Sequence, residues 1–368
     1  MCYAHSSSCL LLMEEGIVLV TIYDIAKKAG LSPTTISKAL NDYRDISVAT
    51  KRKVRAIALE MGYTPNSSAR SLATNKSWLI GVLYNEDHDL GIRHMHLSEV
   101  IEQFKERVEE SGYELIFIGN KIGERRTSYY EHCLYRGVDA VFIANGLEEE
   151  EALQELIRSS IPCVASELVS PEITCILSDN VTGGRKAVDY LYSLGHKRVA
   201  HIAAPLLSVA GRERLLGYKL SFEAHSGAYS EDYVRIAEIF NSKSGYEAMQ
   251  SLLSMPVPPT AVFCANDNLA CGAITAAKES GLYVPEDISV IGFDDIEIAS
   301  YMVLSLTTVR QDRARIGQYC ADMILKILDG ETIKPQNIRI PTKLVIRNSC
   351  RRLNDNMGQG SVLRLLES

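Results

Sequence analysis

The stretch from Thr21 to Ser77 constrains this chain most: three sets of helix signals and a surplus of basic residues precede a polar linker ending Ala69-Arg70-Ser71-Leu72-Ala73. Thr21 stands three residues before Asp24, the spacing of a capping box, and Ile22, Ile25, Ala26 and Ala29 then recur at helical period up to Gly30. Ser32 can cap a second helix with Pro33 at its first position, where a missing N–H is harmless, and Ile36, Ala39 and Leu40 give it one apolar edge. Ser47 opens a third, whose Val54, Ile57, Ala58 and Met61 form a stripe to pack on the first two. So short a turn between the first two helices is a helix-turn-helix spacing, and all three share one small core.

From Val20 to Ser77 there are ten Lys/Arg against four Asp/Glu, a net of +6 in a chain of net charge −7, so the remaining residues carry −13. A solvated helical face would also collect charge, but here the charge coincides with the helix pair. That asymmetry fits a basic module that meets phosphate, joined to an acidic body that does not. The second helix, Ser32 to Asn41, is expected in the major groove of double-stranded DNA, with Pro33, Thr34 and Lys38 at base edges and Thr35 and Ser37 reaching phosphates or neighbouring groups. Pro33 has no donor, so it can offer only apolar contact. Thr21, Tyr23, Ser32 and Asn41 complete this expected DNA-facing set.

A chain of 368 residues with 46% apolar content exceeds one typical core, so two or three domains are expected. Nine Cys are odd in number, scattered and never spaced Cys-x-x-Cys, which suggests neither a disulfide framework nor a zinc site; reduced thiols in a cytoplasm are the preferred reading. The apolar run Cys9 to Met13 is too short for a secretory core, and no stretch approaches the ~20 apolar residues of a membrane span. From Trp78 onward, apolar runs at Leu79 to Tyr84, Glu114 to Gly119, Ala140 to Ala144 and Pro162 to Ala165 alternate with helical patterns. The rhythm restarts after Asp179-Asn180 with Arg198 to Ala203, Val234 to Ile239, Ala261 to Ala265 and Ile288 to Phe293. This is the signature of parallel βαβ units in two lobes, with a ligand expected beyond the strand ends in the cleft between them.

Val20-Thr-Ile-Tyr-Asp-Ile-Ala-Lys-Lys-Ala-Gly-Leu-Ser-Pro-Thr-Thr-Ile-Ser-Lys-Ala-Leu-Asn41 and Gly62-Tyr-Thr-Pro-Asn-Ser-Ser-Ala-Arg-Ser-Leu72 resemble the lactose-repressor (LacI/GalR) family of bacterial transcription regulators. The resemblance continues through Gly195-His196, Gly211-Arg-Glu-Arg-Leu-Leu-Gly-Tyr218, Ala265-Asn-Asp267, Pro285 to Asp295 and Leu306-Thr-Thr-Val-Arg-Gln311. Each motif alone is weak; their order and spacing are highly specific.

The resemblance implies an N-terminal all-α helix-turn-helix headpiece with a hinge helix, then an α/β two-lobed periplasmic-binding-protein-like body of parallel sheets flanked by helices. The expected divisions are 20–64 for the headpiece, 65–77 for the hinge and 78–350 for the body. Its first lobe takes about 78–180 plus 310–339, its second about 181–309 plus 340–350, and 351–368 form a tail. Residues 1–19 precede the family-like region and are expected to be a disordered extension or an upstream start-codon artefact. In the hinge, Asn66, Ala69 and Arg70 would meet DNA and Leu72 matches the position that levers between base pairs. Arg214 matches the family position that contacts effector, and Phe240 its aromatic wall. With the strand-end residues Asp294, Asn266 and Asp179, these form the expected effector set for a small, carbohydrate-like molecule. The partners implied are operator DNA, that effector and a second copy in a homodimer, with no membrane, cofactor or metal.

His88, His94 and His96 lie in the loop after the first strand, where the family usually carries an Asn-Pro-Phe-Phe-like run. A polar pocket rim is preferred over a metal site there. An enzyme finds no support: there is no Gly-x-Ser-x-Gly elbow and no phosphate loop. Asp294 and Asp295, read as consecutive on an extended chain, should point to opposite faces rather than act as a pair. A periplasmic-type sugar-binding protein shares the two lobes, but would need a signal peptide and would not need residues 21–77.

Overall fold

The structure is a computed structural model that describes residues 20–40, 43–63, 70, 71, 74, 76–84, 94–225, 230–301 and 303–353. The chain divides into two units at Ser77/Trp78. The first holds α1 (Ile22–Ala29), α2 (Pro33–Leu40) and α3 (Val48–Glu60). The capping box forms: the Thr21 backbone N–H donates to the Asp24 carboxylate at 2.9 Å and the Asp24 N–H to Thr21 Oγ1 at 3.4 Å. Gly30 closes α1 at φ 70°, the left-handed conformation that favours glycine at a helix end. Ile25, Ala26, Ala29, Ile36, Ala39, Val54 and Ala58 bury a common core, with Ile57 and Met61 packed against it.

In the body, β1 (Leu79–Leu83), α4 (Met95–Glu109), β2 (Glu114–Ile118), the hairpin β3 (Lys121–Ile122)/β4 (Arg125–Arg126), α5 (Tyr129–Arg136), β5 (Ala140–Ile143), α6 (Glu151–Ile157), β6 (Cys163–Ser166) and β7 (Thr174–Ser178) follow in order. Then come α7 (Asn180–Ser193), β8 (Val199–Ala203), α8 (Val209–Ala224), β9 (Val234–Ile236), α9 (Ser242–Leu253), β10 (Ala261–Cys264), α10 (Asp267–Glu279), β11 (Ser289–Ile291) and α11 (Glu297–Tyr301). Last are β12 (Thr308–Arg310), α12 (Arg313–Leu328), β13 (Asn337–Ile340) and β14 (Lys343–Val345).

Among the described residues, two parallel sheets result, ordered β13-β7-β6-β5-β1-β2 and β11-β10-β8-β9. The chain passes between the two lobes three times, after β7, after β12 and after β13. Thus α12 packs with α4 on the first sheet, and Ile316, Cys320 and Ile324 join Val100, Phe104 and Val164 in one core. The antiparallel pair β12–β14 runs beside the second sheet and was not anticipated from sequence. In the second lobe α7 and α8 pack so closely that a Cβ on Gly217 would stand 2.3 Å from the Val181 carbonyl oxygen. Only glycine permits that approach, which holds α8 against α7.

Candidate DNA and effector sites

In the headpiece Ser32 Oγ accepts from the Thr35 N–H at 3.1 Å and shares a hydrogen with Thr35 Oγ1 at 2.8 Å, so both side chains serve the start of α2. Pro33, Thr34, Ser37 and Lys38 line a concavity of about 350 Å³ with Ile22, Tyr23 and Tyr43. Tyr23 is 74% exposed. The Lys38 ammonium rests on the Asp45 carboxylate at 2.5 Å, which raises the amine's pKa and lowers the acid's. Lys53, one of the ten headpiece cations, donates to the Ala29 carbonyl oxygen at 2.9 Å and so caps the end of α1. Lys28 pairs with Glu60 at 2.8 Å.

Of the expected DNA contacts, Asn41, Asn66, Ala69 and Leu72 lie outside the described residues, as does His88 in the body. Arg70 is helical, and its carbonyl oxygen accepts from Thr74 Oγ1 at 2.9 Å.

In the body, Arg214 lies in the second turn of α8 and is 2% exposed. Its Nε donates to Asn180 Oδ1 at 2.9 Å, its Nη1 to the Ala265 carbonyl oxygen at 2.7 Å, and Asp294 Oδ1 lies 3.5 Å away. The guanidinium stacks 3.8 Å above the Phe293 ring. Ala265 follows β10 where the order of the second sheet reverses between β8 and β10, the place where such sheets bind ligands. Asp294 also accepts from Gln311 Nε2 at 2.6 Å.

Asp294 and Asp295 are not on an extended chain: their φ angles are 115° and 55°, both in the left-handed region that non-glycine residues seldom occupy. The strained turn is held by Arg313, which donates to the two backbone carbonyl oxygens at 2.7 and 3.2 Å. The side chains do part, as the sequence suggested, but because different arginines bind them. Asp295 takes Arg310 at 2.5 Å and Arg347 at 2.6 Å.

Phe240 does not close a strand; β9 ends at Ile236, and Phe240 sits in the bend before α9. It nevertheless meets the first lobe, with its ring edge-on to His94 at 6.3 Å between centroids. Asn266 and Asp179 are engaged as helix caps, accepting from the Leu269 N–H at 2.8 Å and the Thr182 N–H at 3.1 Å. Asn266 also donates to the Phe240 carbonyl oxygen at 3.2 Å and so fixes that aromatic residue.

The first lobe contributes residues that sequence reasoning missed or placed only at the rim. Glu167 follows β6 at φ 51° and accepts from or shares a hydrogen with His96 Nε2 at 3.2 Å; both are buried or nearly so. Burial pushes the Glu167 carboxyl up, but the His96 hydrogen bond and the charges of His96, Arg214 and His94 outweigh it and hold the acid below its usual range. Burial pulls His94 below the usual imidazole range, opposed by Asp294. His96 Nδ1 and Gln311 Oε1 are buried without hydrogen-bond partners. Glu167 was legible in principle: it ends a strand, the same signal that drew attention to Asp294. Asp267, by contrast, is structural, accepting from the Ile296 N–H at 2.9 Å and Thr308 Oγ1 at 2.6 Å, with burial pushing its carboxyl well above the usual range. Among the described residues no cluster of three or more His, Cys, Asp or Glu could hold a metal ion.

A small basic three-helix module followed by a two-lobed α/β body defines a DNA-binding regulator with a ligand-binding domain. Residues 21–66 match the family described as bacterial regulatory proteins, lacI family, and residues 188–350 the periplasmic binding protein-like domain. The chain is 34% identical over 338 residues to the probable HTH-type transcriptional repressor ExuR of Bacillus subtilis (strain 168), covering 91% of this chain and 99% of that protein. It is 33% identical to the HTH-type transcriptional repressor PurR of Escherichia coli O139:H28, covering 90% and 97%.

A crystal structure of the lac repressor dimer bound to operator and the anti-inducer ONPF matches with TM-score 0.76 at 30% identity, over 90% of this chain and 99% of that one. A transcriptional regulator CelR–cellobiose complex matches with TM-score 0.66 at 28% identity, over the same shares. The chain belongs to the lacI family of bacterial regulatory proteins and is a helix-turn-helix transcriptional repressor with a ligand-binding regulatory body.

Proposed function

We propose that this repressor works in the cytoplasm as a homodimer, and that a small polyhydroxylated molecule, a sugar, sets its affinity for a pseudo-palindromic operator from the cleft between the two lobes. The observation that carries the reading is Arg214: a buried guanidinium at the sheet's reversal point, with Asp294 beside it and the Phe240 ring across from His94. A planar donor fork, a carboxylate and an aromatic face are the groups that hold vicinal hydroxyls and the apolar side of a pyranose. Asn266 and Asp179 serve this cleft through the chain segments they cap. The relatives' structures, one with operator and anti-inducer and one with cellobiose, support the same assignment.

On the DNA side, Thr34 and Lys38 read base edges, Tyr23 and the headpiece cations meet phosphate, and residues 65–77 form a hinge. Isolated helices shorter than ~12 residues are marginal in water, so the hinge depends on docking for most of its stability. A cleft ligand that shifts the paired bodies then decides whether it folds. Coupling of ~1–3 kcal/mol changes operator affinity about 5- to 150-fold.

The test is an anisotropy titration against the chain's own upstream intergenic DNA at two salt concentrations, with a panel of neutral sugars, sugar acids and nucleosides. Salt-dependent specific binding that one sugar shifts is the expected result. Specific DNA binding that no sugar shifts rejects the sugar assignment, and salt-insensitive, sequence-indifferent binding rejects the headpiece reading. Leu72→Ala should weaken specific binding far more than non-specific binding; equal losses remove the wedge role.

A further inference from the structure

We propose that Glu213 is a positioning residue that ties the orientation of Arg214 to the angle between the two lobes. The inference rests on Arg214 being the effector contact. Three consecutive residues near the N-terminal end of α8 point to three destinations. Arg212 crosses to Glu148 of the first lobe at 2.5 Å, Arg214 enters the cleft, and Glu213 faces the place where the chain passes between lobes.

Glu213 is the middle of an unbroken chain of bonds. Arg339 on edge strand β13 of the first lobe grips its carboxylate with both nitrogens, Nη1 to Oε2 at 2.6 Å and Nη2 to Oε1 at 2.5 Å. Glu213 Oε2 accepts from Asn180 Nδ2 at 3.2 Å, and Asn180 Oδ1 accepts from Arg214 Nε at 2.9 Å. Asn180 is fully buried, so its amide cannot exchange these partners for water. It has one acceptor oxygen and one donor nitrogen; fixing the nitrogen on Glu213 leaves the oxygen facing Arg214. A two-pronged guanidinium–carboxylate pair is directional, so turning β13 against α8 turns the carboxylate with it.

Rotation of the first lobe is therefore read out at Arg214, and whatever holds Arg214 resists that rotation. The Arg212–Glu148 pair also joins the lobes but leads nowhere in the cleft, which makes it an internal control.

The test follows the Nε–H signal of Arg214 in full-length, arginine-labelled protein without any sugar present. Glu213→Gln and Arg339→Met should each speed its exchange with solvent at least tenfold, whereas Glu148→Gln should leave it within twofold. Unchanged exchange in the first two variants, or an equal rise in all three, overturns the proposal; the latter would make the pair a lobe clamp only. Should Glu213→Gln not fold, Arg339→Met on its edge strand decides the question alone by the same readout. Because no sugar is used, failure here leaves the effector reading standing, while failure of the sugar panel leaves this relay measurable.

Discussion

Headpiece and body place their working side chains in opposite surroundings. Tyr23, Pro33 and Thr34 stand in solvent above a core of small and branched residues, whereas Arg214, Asp294 and Asn180 are sealed inside and already bonded to one another. An exposed reader can be replaced at little cost to the fold, because surface polar groups lose only water. A buried, mutually satisfied set cannot, because removing one member strands the rest. The headpiece thus keeps stability and recognition separate, and the body combines them.

The sharpest way to break that contrast is Arg214→Ala. It leaves Asp294 buried beside an empty space and should destabilise the body by about 3–5 kcal/mol, read as a drop in its denaturant midpoint with headpiece unfolding unchanged. A loss under 1 kcal/mol would mean that Gln311 alone satisfies Asp294.

His201, fully buried in β8 and stacked on Tyr218 and Phe263, comes next; burial pulls its imidazole down to about 4. The folded pKa lies below the unfolded value, so stability does not depend on this group above pH ~6.5. As pH falls from ~6.5 to about 4 the unfolded chain takes up a proton that the folded one refuses, and the body should lose about 3 kcal/mol. His201→Phe should remove this part of the acid-side slope in pH-dependent melting.

Lys38→Ala should cost about ten- to a hundredfold in specific operator affinity and only a few-fold on unrelated DNA, measured at fixed salt. Its thermal stability should stay near wild type, the behaviour that separates an exposed reader from Arg214. The smallest effect belongs to Thr21→Ala, which removes half of the capping box and should lower headpiece stability by about 1 kcal/mol without altering the body's transition.

The same contrast explains what could be read from sequence. Thr21/Asp24, Ser32/Pro33 and Gly30 act within four residues of one another, and each has the helix-end role that its spacing announced. The βαβ rhythm was equally local, and its strands fall within a few residues of the expected runs. The cleft was harder, since Glu167, Arg214 and Asp294 come from distant points on the chain and meet only through the sheet order. Glu167 and Gln311 follow strands as Asp294 does, but a strand end marks a position without telling which of the polar residues there turn into the cleft. Asp294-Asp295 misled because an unusual backbone there overrides the extended geometry that consecutive residues after a strand would suggest. The Lys38–Asp45 and Lys53–Ala29 contacts were invisible for a related reason: charge counting finds cations but not which of them are already engaged.

The three passages of the chain between lobes bear on how the polypeptide emerges from a ribosome. The first lobe receives its helix α12 and its edge strand β13 only after nearly all of the second lobe has been made. Until Leu328 is out, the apolar faces of Ile80, Phe104 and Val164 lack the helix that covers them, and until Ile340 is out, β7 has an open edge. The headpiece can close its core as soon as its own residues are free, while the body must wait for its last tenth. A truncated nascent chain would then pair a finished DNA-binding module with an unfinished, sticky regulatory body. Premature termination thus yields a species that proteolysis must clear.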